Sequence, residues 1–177
     1  MAGSEGTVLS RLIGESDLLR LIDYWRGKRG GRPMPSRSDI DPIEIDWALA
    51  RLSLLDYDPA DGFRYRLAGA EPSGVFGRGN LKGLTFRDLM SPEGARFVED
   101  RWTPVVAERS VCCMKGMIYL GAERTAIGER VVLPLADGAD AAVTGVLAMS
   151  VFGWVPSDQP QAVQEAEVEY IPVEAIP

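Results

Sequence analysis

Histidine is absent from the 177-residue chain, which removes the commonest general base, the commonest zinc ligand and the usual proximal haem ligand together. Ser-His-Asp hydrolysis, zinc-protease chemistry and histidine-ligated haem are excluded. Cysteine is scarce: Cys112 and Cys113 are adjacent, a spacing too strained for an ordinary disulfide and useless as the framework of a secreted fold. Reduced thiols in a cytoplasmic protein are the expectation. Long apolar runs are missing too. The stretch from Ala141 to Met149 falls far short of the roughly 20 residues that cross a bilayer, and no basic segment leads into an apolar one near the start. Neither membrane insertion nor export is expected. Positive charge is in deficit, with 19 Lys and Arg against 26 Asp and Glu, which argues against a nucleic-acid partner because phosphate backbones attract clustered cations. The one locally basic run, Arg26, Lys28, Arg29 and Arg32, reads as a solvated helix end, with an anion or partner site as its alternative.

What is present suits one domain with flanking arms, since 46% of the residues are apolar, enough to close a single core. Residues 1–15 read as an N-terminal arm, with little order expected near Met1. Residues 16–50 form a helical segment: Leu18, Leu19, Ile22 and Trp25 recur on one helical face, Ser16 or Asp17 offers an N-cap, and Gly27, Gly30 and Gly31 supply stops. After a proline-rich connector, the order Asp41-Pro42-Ile43-Glu44 predicts a second, short helix running to about Ala50. Residues 51–153 make the core. Leu52-Leu54 and then Phe63, Tyr65 and Leu67 alternate with polar positions around a turn at Asp58 to Gly62, the pattern of an antiparallel hairpin. Glycine-separated short helices follow. A longer helix opens at Ser91-Pro92-Glu93 and must accommodate Pro104. Three strands close the core, at Val111 to Leu120, Arg124 to Leu135 and Ala142 to Phe152. In the last, Val143, Leu147, Met149 and Val151 take one face and Val146, Ala148 and Phe152 the other, so it should be central and covered on both sides. Residues 154–177 read as an extended C-terminal arm.

Strand, strand, short helices and three strands is the layout of PAS domains. The segments LIDYWRGKRGGRPMPSRSDIDPIEI, LSLLDYD, FRYRLAGAE, FGRGNLKGLTFRDL and ERVVLPLADG resemble a family of stand-alone bacterial PAS-domain proteins over Leu21 to Phe152. The most specific piece is YWRGKRGGRPMPSRSDIDP. A departure stands at Asp46-Trp47-Ala48, where the resemblance leads one to expect an apolar, proline-containing stretch. The likeness implies an α+β fold: a five-stranded antiparallel sheet with short helices on one face, plus the N-terminal amphipathic helix. It also implies a cytoplasmic sensory or regulatory module without its own output domain, acting through small-molecule binding, protein contact or both. A homodimer, a regulatory protein partner, or both are expected.

In such an architecture the residues able to line a pocket are Phe76, Leu84, Leu89, Val98, Trp102, Met117, Tyr119, Leu133 and Met149, and Arg78 or Arg87 could meet an anionic head group. The competing reading makes the apolar ones plain core and the arginines solvent-facing. No cofactor is firmly expected; a small apolar ligand of unknown identity is the open alternative to a filled core. Haem and flavin are not expected, because haem lacks a histidine ligand and the cysteines lie at a strand start among apolar neighbours. For Cys112 and Cys113 the preferred reading is buried packing, and redox sensing is the alternative. No metal site and no catalytic residues are expected. The rival readings are a small pocket enzyme of the lyase or isomerase kind, with Tyr119 as acid or base, and a ligand-free scaffold.

Overall fold

The computed structural model describes residues 6–120, 123–138, 141–158 and 165–177. The expectation for the first residues therefore lies outside the described ones. Two N-terminal helices, α1 (Gly6–Leu12) and α2 (Ser16–Gly27), precede the sheet. The sheet strands are β1 (Leu52–Asp58), β2 (Gly62–Ala68), β3 (Ser110–Leu120), β4 (Arg124–Leu135), β5 (Gly145–Pro156) and β6 (Glu167–Pro172). Between β2 and β3 lie α3 (Ala70–Val75), α4 (Phe86–Leu89) and α5 (Pro92–Ala107). Every pairing is antiparallel, in the order β2-β1-β5-β4-β3-β6.

The sheet has six strands where the sequence reading has five. The sixth, β6, comes from the segment read as an extended arm and pairs with β3 from Ser110↔Pro172 to Lys115↔Glu167. Its sparse alternation hid it: Val168, Tyr170 and Ile171 are spaced among glutamates and end at a proline, which is how an edge strand avoids attracting further strands. The expected helix over residues 41–50 is also not formed. The Asp41 side chain accepts the Ile43 N–H in a local turn, and a single 3-10 turn follows at Asp46–Ala48, at the point where the sequence departs from the family pattern.

The central strand β5 is covered on both faces, as its composition requires. On one face Leu18, Leu21, Ile22 and Trp25 of α2 pack with Val131, Leu133, Leu147 and Met149. The amphipathic helix thus lies on its own sheet. On the other face Trp102 and Val105 of α5 pack with Phe63, Phe86, Val132 and Ala148. Helix α5 starts where Ser91 accepts the Gly94 N–H (3.1 Å) with Pro92 in the first turn, and it continues through Pro104.

The family-like motif after α2 acts as a tie. The Trp25 indole donates to the Pro134 carbonyl (2.8 Å), and the Tyr24 hydroxyl donates to Glu44 (3.0 Å) while accepting the Asp41 N–H (2.9 Å). Arg29 donates to the Ile176 and Pro177 carbonyls at 2.9 Å each, pinning the chain end, and Arg32 pairs with Asp39 at 2.6 Å. The Ser36 backbone N–H first, opposed by partial burial and then helped by Arg32, holds Asp39 below the usual carboxylate range. Arg29, Arg32 and Lys28, which pairs with Glu44 at 2.5 Å, are therefore spent on internal partners.

Candidate functional site

A cleft of about 450 Å³ opens between the helices and the β3–β5 end of the sheet, within the size range of small-molecule sites. Helix α3 and the residue after it supply Val75 and Phe76; the end of α4 supplies Leu89 and Met90. The first turns of α5 bring Glu93, Gly94, Phe97 and Val98, one face of the helix at its 3.6-residue period. The floor comes from Ile118 and Tyr119 of β3, with Trp154 of β5 at the margin. Consecutive strand residues ordinarily point to opposite faces, yet Ile118 and Tyr119 line one cleft. The register of β3 against β4 slips between Met117 and Tyr119, and such a bulge re-aims a side chain.

Aromatic side chains give the cleft its character. Phe76, Tyr119, Phe152 and Trp154 form a run of edge-to-face contacts with centroids 6.0, 5.5 and 5.4 Å apart, a geometry each ring prefers. A second cluster, Phe63, Phe86 and Trp102, lies deeper at 5.2 to 5.7 Å. Between the two sits Arg130, only 2% exposed, its guanidinium 4.3 Å from the Tyr119 ring and 5.8 Å from that of Trp102. Nε of Arg130 donates to Ser150 Oγ at 2.8 Å, across a paired position of β4 and β5.

The residues named from sequence divide by face. Phe76, Leu89, Val98 and Tyr119 meet in the cleft. Trp102 lies one turn further along α5, buried in the deeper cluster. Leu84 is half-buried ahead of α4, where its carbonyl accepts the Tyr65 N–H (2.9 Å), and Met117 is half-buried before the bulge. Arg78 is exposed, and Arg87 pairs with Glu99 at 3.2 Å. Leu133 and Met149 lie on the opposite face of the sheet, under α2. Alternation foretells this: Leu133 follows Val132, which faces the cleft side, and Met149 follows Ala148. The sequence reading passed over Ile118, Met90, Phe97, Trp154 and Arg130. For Arg130 a signal existed, a charged residue inside a strand whose neighbours Val131, Val132 and Leu133 read as buried on both faces.

The two cysteines are buried on opposite faces, Cys112 toward the helices and Cys113 toward α2. Burial pushes each thiol up to about 12, so neither is a thiolate at neutral pH. Among the described residues no group of three potential metal ligands is found, and no helix is long and apolar enough to cross a membrane.

A wider, open groove lies beside the motif that follows α2, between Arg26–Pro33 and the chain end at Val173, Glu174 and Ile176. Arg29 and Arg32, which line it, already carry internal partners, which makes it a seam of the tie.

Comparison with curated proteins and with solved structures returns no match. The family model described as PAS domain matches residues 13–148, from the residue after α1 through α2 and the sheet to the first residues of β5. The chain belongs to the PAS domain family of sensory and regulatory modules.

Proposed function

We propose that this chain is a sensory module that takes a small, mainly apolar molecule into the aromatic cleft and passes the event on through a changed protein contact. The carrying observation is the cleft itself, about 450 Å³, walled by Phe76, Phe97, Tyr119 and Trp154 and lying where the helices close over the sheet. An apolar site of this size with a few polar groups at its edge is the usual form of a small-molecule site.

Transmission rests on β4. Arg130 points to the cleft side, and its neighbour Glu129 points to the other, where its carboxylate accepts the Gly14 and Glu15 N–H groups ahead of α2 at 2.8 and 2.9 Å. A ligand pressing on the helix side thereby reaches the N-terminal segment through one strand. Partner contact, with a second copy or another protein, is the output this reading assigns; the exposed Ile43 (84%) and the half-covered Trp154 (36%) are its apolar surface candidates.

Native mass spectrometry of freshly purified protein tests the reading. A bound species of defined mass, lost in a variant whose cleft is filled by Gly94→Leu, is the expected result. An unliganded mass spectrum, together with no change in unfolding temperature across a library of apolar small molecules, would refute it.

A further inference from the structure

Behind Tyr119, which lines the cleft, lies a buried charge that no carboxylate among the described residues pairs. Arg130 is 2% exposed on the face shared with Val132, Ala148 and Trp102. A guanidinium has five N–H donors, and one of them, on Nε, is accounted for by Ser150. Among the described residues each ion pair involves another cation, so no carboxylate lies within 4.0 Å of Arg130. The rings of Tyr119 and Trp102 offer cation–π attraction, worth far less than the several kcal/mol that desolvating an ion costs. Next to it the Trp102 indole Nε1 is buried with no acceptor, although buried indole N–H groups ordinarily find one. The Trp102 N–H, without an acceptor, and the Arg130 guanidinium, without a carboxylate, thus lie on one side of the sheet.

That location adjoins the cleft through Tyr119 and α5, although Arg130 and Trp102 are not among the lining residues. On α5 the lining positions are 93, 94, 97 and 98, and the next residue inward on the same face, four beyond Val98, is Trp102. On the sheet side the lining residue Tyr119 has Arg130 against its ring. At the outer end the cleft carries Glu93, an exposed carboxylate that repels an anion at the mouth. An amphiphilic anion is therefore oriented acid end inward.

We propose that Arg130, assisted by the Trp102 indole N–H, recognises the carboxylate of a small ligand whose apolar body fills the cleft. The inference rests on the reading of the cleft as a ligand site and adds the chemical class of the ligand. A carboxylate accepts two parallel bonds from a guanidinium, the strongest pairing available to the group, and a third from an indole N–H.

The test uses the full chain at pH 7 and two matched probes, 3-phenylpropanoate and its neutral amide, titrated calorimetrically, with saturated carboxylates of four to ten carbons as a length series. The acid is expected to bind at least about tenfold tighter than the amide, a charge-assisted contact being worth more than about 1.4 kcal/mol. Arg130→Met is expected to abolish the preference for the acid, weakening the acid by more than the amide, whose carbonyl loses only a neutral acceptor bond. Without ligand this variant should unfold no earlier than the wild type, since it removes a buried unpaired charge. Trp102→Phe should weaken the acid more than the amide. Should Arg130→Met not fold, Arg130→Lys serves, with the acid losing severalfold more affinity than the amide because the bidentate fork is gone.

Equal binding of acid and amide overturns the carboxylate assignment and leaves the cleft reading standing. So does a variant at Arg130 that keeps the preference, which marks the residue as an internal brace. Absence of binding by every probe, together with an empty native mass spectrum, overturns both.

Discussion

Replacing Glu129 removes the acceptor that joins the sheet to the segment entering α2, and the size of the effect follows from its contacts. Glu129 is 7% exposed. Its Oε2 accepts the backbone N–H groups of Gly14 (2.8 Å) and Glu15 (2.9 Å), and its Oε1 lies 3.2 Å from the Lys115 ammonium. Hydrogen bonds to a charged acceptor contribute about 1.5–3 kcal/mol each when buried. Gly14 and Glu15 are exposed, so their N–H groups regain water once the carboxylate is gone, and the lower end of that range applies. The exposed Lys115 adds little. Loss of a negative charge beside the start of a 12-residue helix adds a few tenths of a kcal/mol.

Glu129→Ala should therefore cost about 2–3 kcal/mol, and Glu129→Gln, which keeps an oxygen for the two N–H groups, about half of that. Urea unfolding of both variants measures the totals, and amide exchange locates them. Protection should fall at Gly14 and Glu15 and much less within α2, which Leu18, Leu21, Ile22 and Trp25 still hold by burial. A cost below about 0.5 kcal/mol for alanine, or equal costs for alanine and glutamine, would refute the argument.

Two further outcomes follow from groups outside the cleft. The Cys112 and Cys113 thiols, raised to about 12 by burial, keep protons that the unfolded chain releases above about pH 9. Stability should thus fall as pH climbs past 9, by about 1.4 kcal/mol per thiol at pH 10; urea titrations at pH 8 and 10 check it, and a slope identical in the Cys112→Ala/Cys113→Ala variant would refute it. Arg29→Ala deletes the donors to Ile176 and Pro177, and limited proteolysis should then clip the chain end several times faster than in the wild type while the sheet stays resistant. An unchanged cleavage rate would show that β6 alone secures the tail.

The parts legible in the sequence are those that repeat a period over many residues. Helix α2 is one, because four apolar side chains at helical spacing leave a single way to bury them. Strand β5 is another, because apolar residues on both alternating faces demand cover on both. The sixth strand was not legible, since an edge strand carries little apolar patterning and depends on the neighbour it pairs with. Nor was the floor of the cleft, because a one-residue slip in β3 turns Ile118 and Tyr119 toward one space against the alternation. Leu133 and Met149 have the residue type of a pocket lining but not the face: the alternation of β5 puts Met149 opposite Phe152, and Leu133 and Met149 both lie under α2.

The basic motif after α2 shows why a distinctive sequence need not mark a ligand site. Its cations are consumed by Glu44, Asp39 and the terminal carbonyls, and the specificity of the string reflects how many separate segments meet there. Arg130 is the reverse case, a charged residue ahead of an apolar run, in no distinctive motif, whose burial without an anionic partner among the described residues sets it apart. Its position also fits the proposed route from the cleft to the other face. Gly128, two residues earlier, allows β5 so close that a Cβ there would lie 2.0 Å from the Val151 carbonyl oxygen. Opposite Gly128 stands Phe152, which packs on Tyr119. Two strands held that close resist separation at this point, so under the proposed reading a displacement of Arg130 is passed along β4. The next side chain along, on the opposite face, is Glu129, and what it holds is the N-terminal segment.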